Sequence, residues 1–474
     1  MYLYWEGRKS YRTRMPAPRV LQPVQKQSYV NTGDTKNLII EGDNLQAMVS
    51  LRSQYKAAVD VAYLDPPYNT GRKDFRYSDQ RFQDPNADPD DAAYVGNEDG
   101  GRHTKWLNFM GPRVYLTWEL LSDTGVCFVS IDDTELFRLG MLMDEIFGER
   151  NRLGVIIWKG ATENNATRIA TGHEYILCYA KRAECVPSVW EGTSAAKSWM
   201  LAQFDALKEQ YTTPKALEAA WQNLLKQHVK TREESVDSGN DPTLIDLGPT
   251  LPKYKYVEPR GPYASNRDVH GSEKGQYFYN VKHPNGKVCK APDSGYRFPE
   301  ETMKQLRAEN RILFGEDEKR QIQIKKFLKD VKLPLRSVIE MSSSRGANTL
   351  KALFPDETKQ FQHAKPVELI ETLIDFATDA DALVLDPFAG SGTTAHAVLR
   401  LNKRDGGNRR FILIEEGSKG DRFCRSLTAP RVRAAIDKEQ LGGGFTFMTT
   451  GRRLNRAAIL ELERDAIANL MRRR

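Results

Sequence analysis

Two short stretches of this 474-residue chain gather groups that can do chemistry. The first is Asp65-Pro66-Pro67-Tyr68, which follows the apolar, β-branched run at residues 59–64. Two prolines fix the backbone, so the Pro66 carbonyl is held at a set angle beside the Asp65 carboxylate and the Tyr68 ring. A carboxylate, a rigid carbonyl and an aromatic face suit a planar ligand bearing an amino group: the oxygens accept its N–H bonds and the ring stacks on its face. The bland reading is a strand-ending turn. The second stretch is Asp386-Pro387-Phe388-Ala389-Gly390-Ser391-Gly392-Thr393-Thr394, again after an apolar run and at the start of a helical pattern. Glycines there let backbone approach a ligand, and a helix start offers unpaired N–H groups. Glu415, at the end of the next strand, can accept hydrogen bonds from two ribose hydroxyls. Glu416 is the neighbouring alternative. The same glycines fit G-x-G-x-x-A, so a nicotinamide cofactor is a rival reading. No phosphate-gripping P-loop occurs.

Placing these groups requires strands that alternate with helices. Short apolar runs at 37–40, 59–64, 125–131, 153–158, 174–179, 383–386 and 410–415 read as strands, with helical spacing between several of them. That pattern predicts a parallel α/β sheet. Residues 1–36 read as a polar N-terminal arm, and residues 79–102 as an acidic surface loop. Residues 182–345, rich in Gly, Pro and Tyr from about 252, read as a separate module with a hairpin-like step at Asn285-Gly286. Residues 37–181 and 346–440 then form two halves of one domain, and 441–474 a C-terminal extension ending in a helix.

Composition bounds the function classes. The net charge of +7 is compatible with nucleic acid but decides nothing alone. Five cysteines without a C-x-x-C pair argue against a disulfide framework or a zinc site, and no metal is expected. No apolar run reaches the ~18 residues that span a bilayer. The expectation is a soluble, cytoplasmic protein.

Together the two motifs resemble the paired motifs of S-adenosylmethionine-dependent DNA amino-methyltransferases. Their order, catalytic motif before cofactor motif, is similar to the circularly permuted β group, and especially to the modification subunits of type III restriction-modification systems. Glu41-Gly42-Asp43-Asn44-Leu45, Phe128-Val129-Ser130-Ile131, His173-Glu174-Tyr175 and Lys365-Pro366-Val367-Glu368 also look like that group. The resemblance covers most of residues 37–440.

The resemblance implies a seven-stranded, mostly parallel, Rossmann-like sheet, with residues 37–180 giving five strands and 382–414 the other two. The module at 182–345 would be an insertion that recognises the DNA target. Asp65, Pro66, Pro67 and Tyr68 would form the catalytic motif. Phe388, Gly390, Ser391, Gly392 and Thr393 would line the methionine and ribose parts of the cofactor, following Asp386, with Glu415 on the ribose. Asp43 would sit near the adenine, or simply cap the helix that starts at Asn44. Lys365 matches the helix preceding the cofactor motif, with no atom assigned to it. The reaction implied is transfer of a methyl group to N6 of a flipped-out adenine in double-stranded DNA; cytosine N4 uses a similar site. A homodimer and a separate restriction or defence subunit are compatible partners. Type III modification subunits are commonly longer than this chain. The rival classes are a nicotinamide-dependent oxidoreductase and a non-catalytic DNA-binding protein. The first gives no account of Asp65-Pro66-Pro67-Tyr68, and the intact motif argues against the second.

Overall fold

The computed structural model describes residues 4–5, 8, 15–30, 35–77, 93–160, 168–188, 190, 195–238, 251–266, 269–270, 277–331, 334–355, 364–416 and 423–454. The chain forms two compact units, one from residues 1–190 and 334–474 and one from Glu191–Leu333.

The first unit is built on one sheet of eleven strands among the described residues. They are β1 (Arg19–Pro23), β2 (Tyr29–Val30), β3 (Leu38–Glu41), β4 (Val59–Leu64), β5 (Leu121–Ile131), β6 (Arg152–Lys159), β7 (Glu174–Ala180), β8 (Val338–Glu340), β9 (Leu383–Asp386), β10 (Arg410–Glu415) and β11 (Gly444–Arg453). The spatial order is β1-β11-β3-β10-β9-β4-β5-β7-β6-β8, with β2 on β11. Neighbours from β11 to β5 are parallel. β7 runs antiparallel to both β5 and β6.

The central strands are apolar on both faces because helices cover both faces. Alternate residues part to opposite sides. Ala62 and Leu64 of β4, Cys127 and Val129 of β5, and Ile412 and Ile414 of β10 join one core. There they meet α1 (Asn44–Tyr55), α2 (Arg102–Leu120) and α3 (Leu136–Phe147). Val61, Tyr63, Val126, Phe128, Phe411 and Leu413 face the other core. That one is closed by α5 (Val367–Ala377), α6 (Thr393–Asp405) and α7 (Ala429–Glu439), while α4 (Ser344–Leu353) packs on α5 and α7.

Four expectations change. The sheet has eleven strands, not seven: β1, β2, β8 and β11 extend the central set. The arm at 1–36 therefore contributes β1 and β2, both antiparallel to β11. β11 lies within the C-terminal extension and pairs in parallel with β3, burying Phe445 and Phe447. The module is narrower than 182–345, because β8 pairs with β6 and belongs to the first unit. The loop reading also fails at 93–96, where Ala93–Gly96 pairs with Arg72–Tyr77. Residues 79–92 of that loop, and the helix expected in the tail beyond 454, lie outside the described residues.

The second unit holds an antiparallel four-stranded sheet, Tyr256–Glu258, Gly261–Asn266, Gln323–Phe327 and Ile312–Leu313. Trp221, fully buried on the helix Pro214–Ser238, donates its indole N–H to the Tyr254 carbonyl. Tyr254 is core, Tyr279 stacks on buried Tyr296, and Tyr277 is exposed. A hairpin closes at Asn285-Gly286, with Lys282 bridging to Val288.

Candidate active site

The carboxyl edge of the parallel strands collects the acids. Glu415 of β10 is in register with Glu41 of β3, Asp386 ends β9 between β10 and β4, and Asp65 directly follows β4. In an open α/β sheet this edge is where ligands bind. Asp65 and Asp386, 321 residues apart in sequence, thus sit at the ends of adjacent strands.

The turn after β4 is pinned from below. Trp106, fully buried on α2, donates its indole N–H to the Pro67 carbonyl at 2.7 Å. No hydrogen bond reaches the Pro66 carbonyl among the described residues, which leaves it available as an acceptor. Asn69 then turns left-handed at φ 60° and bonds the buried Glu135 carboxylate.

Asp65 sits in a compact ionic cluster. Lys365 Nζ lies 3.0 Å from Asp65 Oδ1 and 3.2 Å from Glu174 Oε2, and donates to the Tyr68 hydroxyl at 2.8 Å. That hydroxyl is 3.0 Å from Asp65 Oδ1 and 2.8 Å from Glu174 Oε2, so its single proton serves one of the two. Burial pushes the Asp65 carboxyl above its ordinary range, Lys365 pulls it back, and Glu174 raises it further. For Lys365, burial works against the ammonium, but the charges of Asp65 and Glu174 outweigh it and the net shift is upward. The cluster therefore holds Lys365 charged. Its position depends on Gly346 of α4: a Cβ there would stand 1.8 Å from the Ala364 carbonyl oxygen, so only glycine lets α4 approach the backbone before Lys365.

The glycine-rich turn after β9 is tied internally. Asp386 accepts from the Phe388 N–H and from Thr394 Oγ1, and burial pushes its carboxyl up to about 7. Glu415 Oε2 accepts from the Gly390 N–H at 2.6 Å; burial pushes this carboxyl up to about 8, against that bond. Gly392 caps α6 with φ 83°, and a Cβ there would meet Thr428 at 3.2 Å. Ser391 and Thr393 are buried, and Arg431 of α7 donates to both hydroxyls. Phe388 packs against Phe109, their ring centroids 6.2 Å apart.

The structure places the residues singled out from the sequence as follows. Asp65, Pro66, Pro67 and Tyr68 stand together on one side of the edge, and Phe388, Gly390, Ser391, Gly392, Thr393 and Glu415 on the other. It is Glu415, and not the exposed Glu416, that meets Gly390. Asp43 caps α1 through the Gln46 N–H, and its second oxygen meets Arg113 at 3.2 Å. Lys365, grouped by sequence with the cofactor residues, instead reaches the Asp65 cluster. Sequence reasoning missed Glu174, Trp106 and Arg431 as site residues. For Glu174 the sequence offered only its place at the start of the apolar run 174–179; the structure adds that this strand is antiparallel to its neighbours, so the start of β7 lies at the carboxyl edge of β5. Among the described residues, no group of three or more His, Cys, Asp or Glu is placed to hold a metal ion, and no helix is long and apolar enough to cross a membrane.

A family model described as DNA methylase matches residues 59–419. The chain belongs to this DNA methylase family. The matched span runs from β4 to just beyond β10, so both motifs fall inside it. Among curated relatives, the chain is 36% identical over 428 residues to the type III restriction-modification enzyme EcoP15I Mod subunit of Escherichia coli, covering 87% of this chain and 64% of that protein. It is 32% identical over 407 residues to the StyLTI Mod subunit of Salmonella typhimurium, covering 83% and 54%. It is 28% identical over 408 residues to the type II methyltransferase M.KpnI of Klebsiella pneumoniae, covering 80% and 81%. The chain thus spans between 54% and 64% of the length of the two Mod subunits.

Proposed function

We propose that this DNA methylase transfers a methyl group from S-adenosylmethionine to the exocyclic N6 of adenine in double-stranded DNA, as the modification part of a restriction-modification system. The observation that carries the reading is the pairing, on adjacent strand ends, of the Asp65–Pro66–Tyr68 acceptor-and-ring cluster with the glycine-rich turn held by Glu415. Likeness to Mod subunits supports the restriction-modification setting, and with DNA as its substrate we assign the chain to the cytoplasm.

The residues present fit the cofactor. Gly390 and Gly392 have positive φ, so the turn can lie flat against a ligand. Glu415 can exchange its bond to the Gly390 N–H for bonds from the ribose hydroxyls. Beside the turn, Arg431 keeps two buried nitrogens without a partner among the described residues. When bound, the cofactor supplies an electrophilic methyl group on a sulfonium.

An exocyclic amine is a poor nucleophile because its lone pair is delocalised into the base. The Asp65 carboxylate and the Pro66 carbonyl accept its two hydrogens, localise the lone pair and aim it across the edge toward the β9 turn. Orientation and fixed dipoles provide most of the gain, with no covalent enzyme intermediate. Tyr68, its hydroxyl tethered into the ionic cluster, presents its ring as a stacking platform. A paired base cannot reach this edge, so the target is flipped out of the duplex. Asp at the head of the motif favours adenine N6 over cytosine N4.

The strand order supports a circularly permuted methyltransferase sheet. Five of the seven central strands come from residues 38–180 and the two that flank the glycine-rich turn from 383–415. We assign target recognition to the second unit, with a homodimer and a separate restriction subunit as partners of the assembled system.

The test is incubation with labelled S-adenosylmethionine and unmethylated bacterial DNA, followed by digestion and identification of the labelled nucleoside. Label in N6-methyladenine that disappears with Asp65→Ala is the expected result. Label in N4-methylcytosine corrects the base, and failure to bind the cofactor refutes the reading.

A further inference from the structure

Arg431 of α7 is fully buried, yet it has no carboxylate at ion-pair distance among the described residues. One of its terminal nitrogens donates to Ser391 Oγ and Thr393 Oγ1, each at 2.6 Å. Its Nε and its other terminal nitrogen have no partner among the described residues. The charge also lies at the wrong end of a helix. Thr393 opens α6, a helix of 13 residues whose N-terminus has no side-chain cap and carries partial positive charge. A buried cation at the positive end of a helix, with Glu439 and Glu368 offsetting it only from beyond ion-pair distance, is unfavourable on both counts. Burial lowers the affinity of Arg431 for its proton to about 9, with Arg400 adding to the effect.

The bonds from Arg431 also set the polarity of the two hydroxyls. A guanidinium only donates, so Ser391 Oγ and Thr393 Oγ1 must both accept from it, and their own protons point elsewhere. Within the protein those protons have long alternatives: 3.3 Å between the two hydroxyls, and 3.4 Å from Thr393 to the Lys365 carbonyl. Two O–H donors, a helix N-terminus and a cation behind them make a local donor site complementary to a small anion, although Asp386 is bonded to the neighbouring Thr394. Along the same turn, Glu415 holds Gly390 at the ribose side, so the anion site lies further along, toward the start of α6.

We infer that Arg431, acting through the Ser391 and Thr393 hydroxyls, forms the subsite for the α-carboxylate of the cofactor's amino-acid tail. The inference rests on the cofactor reading above and adds a positioning residue that neither motif contains. Arg431 does not touch the reacting methyl; it polarises the two hydroxyls that grip the tail and so sets how far the sulfonium lies from Asp65.

The experiment is calorimetric titration of the purified full chain with S-adenosylmethionine and with decarboxylated S-adenosylmethionine, which keeps the sulfonium and the amine and lacks only the carboxylate. Hydrogen bonds to a charged group predict that the wild type prefers the carboxylated ligand by about 10- to 150-fold. In Arg431→Met that preference falls below about 3-fold, while affinity for the decarboxylated ligand stays within about 2-fold of wild type. The melting temperature of ligand-free Arg431→Met does not fall, because a buried cation without a counterion has been replaced by an apolar side chain of similar length. Should that variant not fold, the pair Ser391→Ala/Thr393→Val, which keeps Arg431, is expected to lose the same preference. Equal wild-type affinity for the two ligands overturns the inference and leaves the cofactor reading intact. So does an Arg431→Met protein that keeps the preference but melts well below wild type, since Arg431 is then scaffold. No wild-type binding of either ligand overturns the cofactor reading and this inference with it.

Discussion

Replacing Lys365 by Met tests whether the ammonium serves the amine site or the cofactor. In the structure Lys365 Nζ is 3.0 Å from Asp65 Oδ1 and 3.2 Å from Glu174 Oε2. Coulomb's law at an effective dielectric of 20 gives about 5 kcal/mol at that separation. The Asp65 side chain is 24% exposed and that of Glu174 32%, so solvent screens the pair and about 2 kcal/mol is the working figure. Without the ammonium, burial and Glu174 both push the Asp65 carboxyl upward with nothing to offset them. The sign follows. Asp65 accepts amine hydrogens only when ionised, a raised affinity for its own proton removes that form at neutral pH, and higher pH restores it. Two kcal/mol is about 1.5 pH units of proton affinity, so methyl transfer by Lys365→Met should be slower than wild type at pH 7 by about 4-fold at most and should recover that loss by pH 9, while wild type stays flat over the same window. Lys365→Arg, which keeps the charge, should keep the flat profile. The assay is single-turnover transfer of labelled methyl to DNA across pH, with cofactor affinity measured in parallel. An equal loss at every pH, or a loss confined to cofactor affinity, would refute the reasoning and return Lys365 to the cofactor group.

Three further outcomes are expected. Asp65→Asn keeps the shape but presents donors to a donor, so transfer should fall by a factor of about 10³ while cofactor affinity, read by calorimetry, holds within 2-fold or so. Gly346→Ala should lower the transfer rate several-fold by pushing α4 off the Ala364 carbonyl and displacing Lys365, again without changing cofactor affinity. Glu415, raised to about 8 in the fold, stabilises the ligand-free protein fully below its unfolded value and loses that contribution as pH rises through 8. The stability of wild type relative to Glu415→Gln should therefore decline between about pH 4.5 and 8, by at most about 1.4 kcal/mol per pH unit, in urea melts at successive pH values.

The central strands were legible because burial on both faces writes continuous apolar runs into the sequence, as at Phe411-Ile412-Leu413-Ile414. The motif turns were legible because proline and glycine have few other reasons to cluster there. The sheet extensions were not. β1 is half-exposed with a proline at its end, β2 is two residues long and β8 three, so none carries an apolar run. β11 did carry a signal: Phe445 and Phe447, separated by Thr446, stand at period two and are fully buried. Lys365 could not be placed because a long flexible side chain reaches whatever carboxylate lies within its radius, and only the fold brings Asp65 and Glu174 there. Arg431 was invisible for a related reason: its partners are hydroxyls of the turn itself, and no spacing links residues 391 and 431.

The placement of these groups explains why one edge can carry both halves of the reaction. β4 and β9 are parallel neighbours, so the turns that follow them leave the sheet side by side and in the same sense. An acceptor site after β4 and a cofactor turn after β9 are then held by the spacing of adjacent strands, about 4.8 Å, with no dependence on a flexible loop. Each turn is clamped from the helical layer behind it. Trp106 holds the Pro67 carbonyl in one core layer, and Arg431 holds Ser391 and Thr393 in the other. In-line transfer requires nucleophile and leaving group to approach along one line, so loosening either clamp should cost rate before it costs binding of the partner held by the other. A Trp106→Phe variant makes that asymmetry measurable. It removes one hydrogen bond to the Pro67 carbonyl, worth about 1 kcal/mol, and leaves the β9 turn untouched. Transfer should slow several-fold at saturating cofactor with the cofactor dissociation constant unchanged. Equal losses in both would mean that the two turns move as one body, and that the strands do not hold them separately.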